Sequence, residues 1–227
     1  ILQNKFNFKR CELINDFAVQ IYGIPYLKKN QYSSILSGSG SHPEGTNNDL
    51  HAIVGAGTGL GIARGIISGN TVKVLASEGG HVEYSPKSDL EWELKSWLRN
   101  SLKVERISCE RVVSGTGLSR IAEWRLSKSD AENHPLQKYL KEIKISDVLR
   151  KELPERICNL SNAGDKLMIE VERIWLSAYA SLLGDVALQE LCFGGLWISG
   201  GTAPKHFKNF KSDLFIKQFF DKGRLKD

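Results

Sequence analysis

The sequence predicts an α/β protein, in which short strands that end in glycine turns alternate with amphipathic helices. Three apolar segments run into such turns: residues 51–54 before Gly55, residues 72–76 before Ser77, and residues 196–198 before Ser199. A long stripe of apolar residues at helical spacing runs from Gly164 to about Leu191. With 227 residues, 41% of them hydrophobic, the chain can bury a substantial core.

Composition and charge exclude several classes of protein. The formal charge of +5 comes from basic residues that are scattered, whereas a nucleic-acid interface needs a clustered basic stripe. The densest basic run, residues 205–211, is predicted to be a solvated helix face with Phe207 and Phe210 packed beneath it. No apolar run approaches the roughly 18 residues that a membrane span requires. We therefore expect neither nucleic acid nor membrane as a partner.

The cysteines are widely spaced and include no C-x-x-C pair, so they indicate neither a zinc site nor a disulfide scaffold. Reduced thiols and a cytoplasmic location are the simplest interpretation, and no signal peptide is visible. The residues concerned are Cys11, Cys109, Cys158 and Cys192.

The first well-defined helix begins at Asp16, since Phe17, Ile21 and Ile24 recur at helical spacing, and it ends at Pro25. An Asp at the start of a helix caps it by accepting backbone N–H bonds. The same fixed position would also suit a general base. Residues 28–50, rich in Lys, Ser, Gly and Asn, are predicted to be a loop or domain connection.

Residues 51–70 are predicted to form a hairpin with a glycine-rich tip. The run of glycines from Gly55 to Gly61 matches the dinucleotide-binding pattern only in part, because a second strand and a Gly69-Asn70 turn follow it where a helix would be needed. A tip of this kind can present backbone N–H groups to a phosphate. A plain glycine hairpin explains the residues about as well.

A strand is predicted over residues 72–86, through the segment that contains Glu78, Gly79, Gly80 and His81. Glycines let the backbone approach a ligand closely, and a carboxylate three residues from an imidazole suits a ligand rich in hydroxyl groups. An ordinary turn with a solvated Glu and a hydrogen-bonded His is the alternative.

Further along, a capping box at residues 88–91 starts a helix with one apolar face formed by Leu90, Leu94, Trp97 and Leu98. Glu110 lies just before a glycine turn, and short helices are predicted over residues 118–126, 136–143 and 146–153. Trp175, within the longest stripe, is predicted to be a core residue.

Five segments in this order resemble the bacterial ATP-dependent glucokinases, members of the hexokinase and actin-like ATPase superfamily. They are residues 14–17, 55–61, 78–82, 110–115 and 198–201, and the run 220–224 is similar as well. The resemblance extends from about residue 12 to the end of the chain. It implies a ribonuclease H-like, actin-like ATPase fold with a mixed sheet flanked by helices.

The resemblance also implies roles for individual residues. Asp16 would be the general base that takes the proton from the 6-hydroxyl of glucose, with ATP and Mg²⁺ supplying the phosphoryl group. The other sugar hydroxyls would be held by Asn15, Glu78, His81 and Glu110. The ATP phosphates would face Gly57, Thr58 and Gly59, and the adenosine would lie near Gly200 and Gly201. A homodimer is implied, and the zinc-binding cysteine cluster of the repressor-type sugar kinases is absent, so we assign no metal ligand.

Family members begin with a smaller domain that carries an Asp-x-Gly-Gly-Thr phosphate loop, which this sequence does not contain. We therefore expect a fragment, with residues 1–26 as the end of the small domain and residues 27–227 as the large domain. Its turnover as a kinase should then be very low. Alternatives are a kinase for another hexose, a non-catalytic sugar sensor on the same fold, and a Rossmann-type nucleotide-binding protein, which the predicted hairpin disfavours.

Overall fold

A four-stranded sheet with helices on both faces forms the described part of the chain. The computed structural model describes residues 2–9, 14–36, 50–69, 71–75, 77–143 and 147–225. The strands are β1 Leu50–Ala56, β2 Leu60–Ser68, β3 Thr71–Leu75 and β4 Gly195–Ser199. The helices are α1 Leu2–Lys5, α2 Asp16–Gly23, α3 Asp89–Leu102, α4 Gly115–Leu126, α5 Leu136–Ile143, α6 Asp147–Asn162, α7 Lys166–Glu190, α8 Ala203–His206 and α9 Asp213–Phe220.

The sheet is mixed, with strand order β3-β2-β1-β4. β1 pairs with β2 in antiparallel register, with Gly55 opposite Gly61, and with β4 in parallel register. Three residues join β1 to β2, so the predicted glycine-tipped hairpin is confirmed. A Rossmann unit would require a crossover helix at this point, so the observed hairpin disfavours the Rossmann-type alternative, as predicted.

Successive side chains along β1 point to opposite faces of the sheet and contribute to the hydrophobic cluster on each face. Ala52, Val54 and Ala56 face the main core, which contains α3, α4, α7 and α9, whereas Ile53 faces α2. Because both faces are covered, β1 is almost continuously apolar rather than alternating. Trp175 of α7 is fully buried in the main core, as predicted.

Helix α2 packs across β1, β2 and β3, with Ile21 fully buried against Ile53 and Ala63. Its cap differs from the prediction. Asn15 occupies the N-cap position and its side chain accepts from the backbone N–H groups of Phe17 and Ala18, while Asp16 is the first helical residue. The predicted domain division at residue 26 stays a prediction.

Two predicted elements have different bounds. The strand over residues 72–86 is wrong beyond Leu75, because Gly79–His81 form a single 3₁₀ turn that packs against β2 instead of continuing the sheet. Helix α6 continues through Pro154 to Asn162, well past the predicted end.

Three further predictions need adjustment. In α3, Leu94 and Leu98 are buried as predicted, but Leu90 is exposed. Glu91 is buried, and its carboxylate accepts a hydrogen bond from the Tyr84 hydroxyl. The basic run, predicted as one helix face, is α-helical only to His206 and ends in a separate 3₁₀ turn, Asn209–Lys211. Most of the predicted loop, residues 37–49, lies outside the described residues, and so do Cys11 and Asn70.

Among the helices that the structure describes, no segment has both the length and the apolar character needed to cross a membrane.

Candidate active site

The hairpin tip, defined here as Gly57, Thr58 and Gly59, is fixed by the first turn of α4. The backbone N–H of Gly115 donates to the Gly57 carbonyl oxygen at 2.7 Å, and the Thr116 hydroxyl donates to the Thr58 carbonyl oxygen at 2.8 Å. These two bonds hold the glycine tip against the start of a helix. The tip therefore has a defined position despite its composition.

Glu110 lies directly against this tip. Its Oε2 accepts from the backbone N–H of Leu60 at 3.2 Å. A side chain at Gly59 would place its Cβ 2.8 Å from the same oxygen, so a larger residue there would displace the carboxylate. The Glu110 carbonyl accepts from the Ser114 hydroxyl at 2.7 Å, and Ser114 caps α4 by accepting from Gly117 N–H. The carboxylate is thus anchored at both its backbone and its side chain.

The Glu78–His81 segment packs against β2, the strand that begins at Leu60. Gly80 lies so close to β2 that a Cβ there would be 2.2 Å from the carbonyl oxygen of Leu60. Arg106 donates to the carbonyl oxygen of His81 at 2.7 Å and fixes the turn. The side chains of Glu78 and His81 are 85% and 57% exposed and lie 3.9 Å apart. Both are free to contact a ligand from solvent.

Asp16 is placed by its neighbour Phe17, whose ring covers the Gly55–Gly61 pair. A Cβ built at Gly61 would be 1.9 Å from Phe17 Cδ2, and one at Gly55 would be 2.2 Å from Cε1. The Asp16 side chain is exposed beside this contact. The Asn15 side-chain oxygen is engaged as the helix cap, so its amide NH₂ is the group left to donate to a ligand hydroxyl.

Gly200 and Gly201 follow β4 and lie under the end of β1. Gly200 has a φ of +86°, and a Cβ there would be 2.4 Å from the Ala56 carbonyl oxygen, so both conformation and space require glycine. Thr202 donates to that oxygen from its N–H at 3.1 Å and from its hydroxyl at 2.8 Å. At Gly57 and Gly201, by contrast, a Cβ would meet nothing within 4 Å. Their backbones therefore border open space at the carboxyl ends of the parallel pair β1 and β4.

These contacts bring the sequence-predicted residues to one end of one hairpin. Carboxylates, an imidazole and an amide are oxygen and nitrogen groups that can bind several hydroxyls of one ligand, and exposed glycine backbone can approach a phosphate. Sequence reasoning missed the residues that support the site: Ser114 and Thr116. The spacing of Ser114 before Gly117 is an N-cap signal that could have identified the first of them.

A cavity of about 220 Å³ opens beneath the Gly79–His81 turn, between that turn and α7. Gly79, Tyr84 and Asp185 are among its lining residues. None of the hairpin-tip residues lines it, and neither do Asp16 and Glu110. The candidate site is thus an open surface formed by the converging segments rather than this cavity.

Comparison with known proteins identifies a family for this arrangement. A family model described as glucokinase matches residues 1–227. The glucokinase of Nostoc punctiforme is 33% identical over 230 residues, covering 99% of this chain and 66% of that protein. The glucokinase of Helicobacter pylori strain J99 is 36% identical over 225 residues, covering 96% of this chain and 61% of that protein. The chain thus spans somewhat less than two thirds of the length of these relatives.

Solved structures agree on the fold. The crystal structure of a glucokinase from an Antarctic psychrotroph superposes with a TM-score of 0.75 at 29% identity, over 99% of this chain and 63% of that one. A Balamuthia mandrillaris glucokinase, crystallised with glucose, superposes with a TM-score of 0.62 over 78% of this chain, and its 20% identity supports the fold alone. The expected actin-like ATPase fold is confirmed.

Proposed function

Because the chain belongs to the glucokinase family, we propose that the protein to which it contributes transfers the terminal phosphoryl group of ATP to the 6-hydroxyl of D-glucose. One observation supports this above the others. Segments that are far apart in the sequence, around Asp16, Glu78 and Glu110, meet at the end of the β1–β2 hairpin. These are the residue types that a sugar and a phosphoryl donor require.

In this proposal the sugar is held by Asn15, Glu78, His81 and Glu110. Each contributes acceptor or donor groups to a different hydroxyl, and a site built in this way penalises any analogue that lacks one of them. Glu110 is the most rigidly placed member, since its carboxylate is fixed on Leu60 N–H. The exposed Glu78 and His81 side chains would become ordered when the sugar binds.

Asp16 is the proposed general base. Its position at the start of α2 is set by the Phe17 ring on the Gly55–Gly61 pair, so the carboxylate has a rigid support although it is itself exposed. It would accept the proton of the 6-hydroxyl as that oxygen attacks the phosphorus. Most of the remaining barrier is overcome by alignment and by neutralising phosphate charge.

The phosphoryl donor is proposed to be ATP with Mg²⁺ as its counter-ion. The open backbone at Gly201 fits such a donor, since a Cβ there would meet nothing within 4 Å and a phosphate could approach its peptide N–H. Gly57 is equally unobstructed, but its N–H already donates to the Gly59 carbonyl oxygen at 2.8 Å. Thr58 at the exposed tip would face the phosphates, and Gly200 and Gly201 would lie near the adenosine. Mg²⁺ bound to the phosphates supplies charge neutralisation.

A kinase for another hexose and a non-catalytic sugar sensor are the alternatives. The sensor is disfavoured by the Asp16 carboxylate, which sugar binding alone does not need. We further propose that the protein is a cytoplasmic homodimer. The cytoplasmic location is supported by Cys109, Cys158 and Cys192, which are all free thiols. Light scattering coupled to size exclusion would test the dimer.

The decisive experiment separates sugar binding from phosphoryl transfer. Calorimetry would measure the Kd for glucose, mannose, galactose and fructose, and mass spectrometry would follow phosphorylation with ATP and Mg²⁺ at high chain concentration. Asp16→Asn should keep the glucose Kd and reduce transfer by about 10²–10⁴-fold. Glu78→Gln should raise the Kd by about tenfold or more, since a hydrogen bond to a charged group is lost.

Glu132→Gln, which alters an exposed carboxylate between α4 and α5, is the matched control and should change neither quantity. Transfer at the wild-type rate by the Asp16→Asn variant would refute the assigned base. Failure of the wild-type chain to bind any of the four hexoses would refute the sugar site. Tighter binding and faster transfer with a hexose other than glucose would favour the first alternative.

A further inference from the structure

Away from the hairpin tip, three metal-binding residue types meet inside the helical layer. Cys158 of α6, Glu172 of α7 and His206 at the end of α8 each offer one donor atom, and these atoms all lie within 4.8 Å of one another. The Cys158 Sγ is 3.6 Å from His206 Nε2, and Glu172 Oε1 is 3.4 Å from His206 Nδ1. The proposed function uses none of the three.

His206 supplies an independent sign that something is bound here. Its side chain is 2% exposed, and its Nδ1 atom has no hydrogen-bond partner although the Glu172 carboxylate is near. A buried polar nitrogen in that state is unusual, because water cannot satisfy it. A cation that accepts the Nδ1 lone pair would give this nitrogen a bonding partner.

The surroundings of Glu172 resemble the outer shell of a metal site. Ser161 donates to Glu172 Oε2, which orients the carboxylate and leaves Oε1 available. The centroids of the Trp175 and Phe210 rings lie 4.6 Å and 6.4 Å from that of the His206 ring. This apolar shell would exclude bulk water from the ion. Cys158 is only half-buried and provides the way in.

We propose that Cys158, Glu172 and His206 bind a zinc ion, with a water molecule as the fourth ligand. A thiolate, an imidazole and a carboxylate together favour Zn²⁺ over Mg²⁺ or Ca²⁺, which prefer oxygen alone. His206 would bind through Nδ1: on a tetrahedral ion, a carboxylate oxygen and an imidazole nitrogen at about 2.0–2.1 Å are about 3.4 Å apart, which matches the 3.4 Å between Glu172 Oε1 and His206 Nδ1. On binding, the Cys158 thiol releases its proton to solvent.

The ion would join the consecutive helices α6 and α7 to α8, which follows β4. His206 lies four residues after Thr202, whose two hydrogen bonds to Ala56 hold the turn beyond β4. A zinc ion at His206 would therefore stabilise that turn from its other end. Sequence spacing could not indicate the site, because the three residues belong to no local metal motif.

The test uses the full chain and cobalt as a spectroscopic probe for zinc. We expect one Co²⁺ per chain, with a thiolate-to-cobalt charge-transfer band and the visible bands of tetrahedral cobalt, all displaced by Zn²⁺. Cys158→Ser should abolish the charge-transfer band, and Ser161→Ala should weaken metal affinity by about 10–100-fold. Cys192→Ser removes another half-buried thiol outside the cluster and should behave as the wild type.

A measurement on the wild-type chain tests the proposal even if one of the variants fails to fold. Zn²⁺ should protect Cys158 from alkylation, as read by peptide mass spectrometry, while labelling of Cys192 stays the same. The proposal is wrong if the wild-type chain binds no stoichiometric Co²⁺ or Zn²⁺. It is equally wrong if the cobalt spectrum lacks a thiolate band or if zinc leaves Cys158 labelling unchanged. None of these readouts depends on kinase activity.

Discussion

The contact between Phe17 and Gly61 makes a sharp prediction for the substitution Gly61→Ala. The backbone at Gly61 is not left-handed, so alanine is conformationally allowed, but its Cβ would lie 1.9 Å from the Phe17 ring. The overlap involves the base of the ring as well as its edge, so the whole side chain must leave the Gly55–Gly61 pair. The start of α2, which carries Asp16, should then move away from the hairpin.

The size of the effect follows from the burial that is lost. Burying a whole Phe side chain contributes about 1.5–3 kcal/mol, and Phe17 is half-buried, so we expect Gly61→Ala to lower the free energy of unfolding by about 1–1.5 kcal/mol. For a chain of this length that corresponds to a fall in Tm of about 2–6 °C. Thermal unfolding followed by circular dichroism measures it directly.

A double-mutant cycle tests the cause. In a Phe17→Ala background the alanine at position 61 meets no ring, so the second substitution should cost almost nothing and the two effects should be strongly non-additive. Gly23→Ala, at the end of α2 where a Cβ meets nothing within 4 Å, is the control and should be neutral or slightly stabilising. Additive losses in the cycle, or an unchanged Tm for Gly61→Ala, would refute the packing argument.

Other features give predictions of their own. Ser114→Ala removes the cap that accepts from Gly117 N–H, so equilibrium unfolding in urea should show a loss of about 1 kcal/mol. The Arg125 guanidinium holds the pKa of Asp130 below its usual range, so this ion pair stabilises the fold above the unfolded pKa of about 3.9 and is lost as the pH falls through the folded pKa. The Tm difference between wild type and Asp130→Asn should therefore vanish in acid, and a constant difference from pH 7 to pH 2 would contradict this. Burial raises the pKa of Cys109 to about 12, so iodoacetamide should label that thiol in urea but hardly at all in the native chain at pH 8; rapid native labelling would show that the site opens.

Local signals in the sequence were sufficient for much of the fold. The hairpin was predictable because the glycine run is followed at once by a second β-like segment, and the start of α3 was predictable from the capping box at Ser88. The mixed sheet, in contrast, came from family resemblance. The parallel pairing of β1 with β4 joins residues about 140 positions apart, and no local pattern encodes it.

The errors have a common physical origin in tertiary contacts. The segment after Leu75 has strand-like residues, yet Gly80 fits tightly on the Leu60 carbonyl and turns the chain across β2. The helix predicted over residues 146–153 in fact continues through Pro154 to Asn162. The cap was predicted at Asp16, but Asn15 occupies the N-cap position. Candidate site residues were identifiable by type, whereas their support by Ser114 and Thr116 depends on contacts between distant elements.

The pairing of β1 with β4 also bears on the order in which the molecule is completed during synthesis. The carbonyl of Ala56 acquires its partners only when Thr202 has been made, about 7–30 s after β1 at usual elongation rates of about 5–20 residues per second. Until then, one side of β1 is an unprotected edge, open to wrong partners on a neighbouring nascent chain. The hairpin can fold early on the ribosome, but its binding end must wait until β4 and Thr202 have been made.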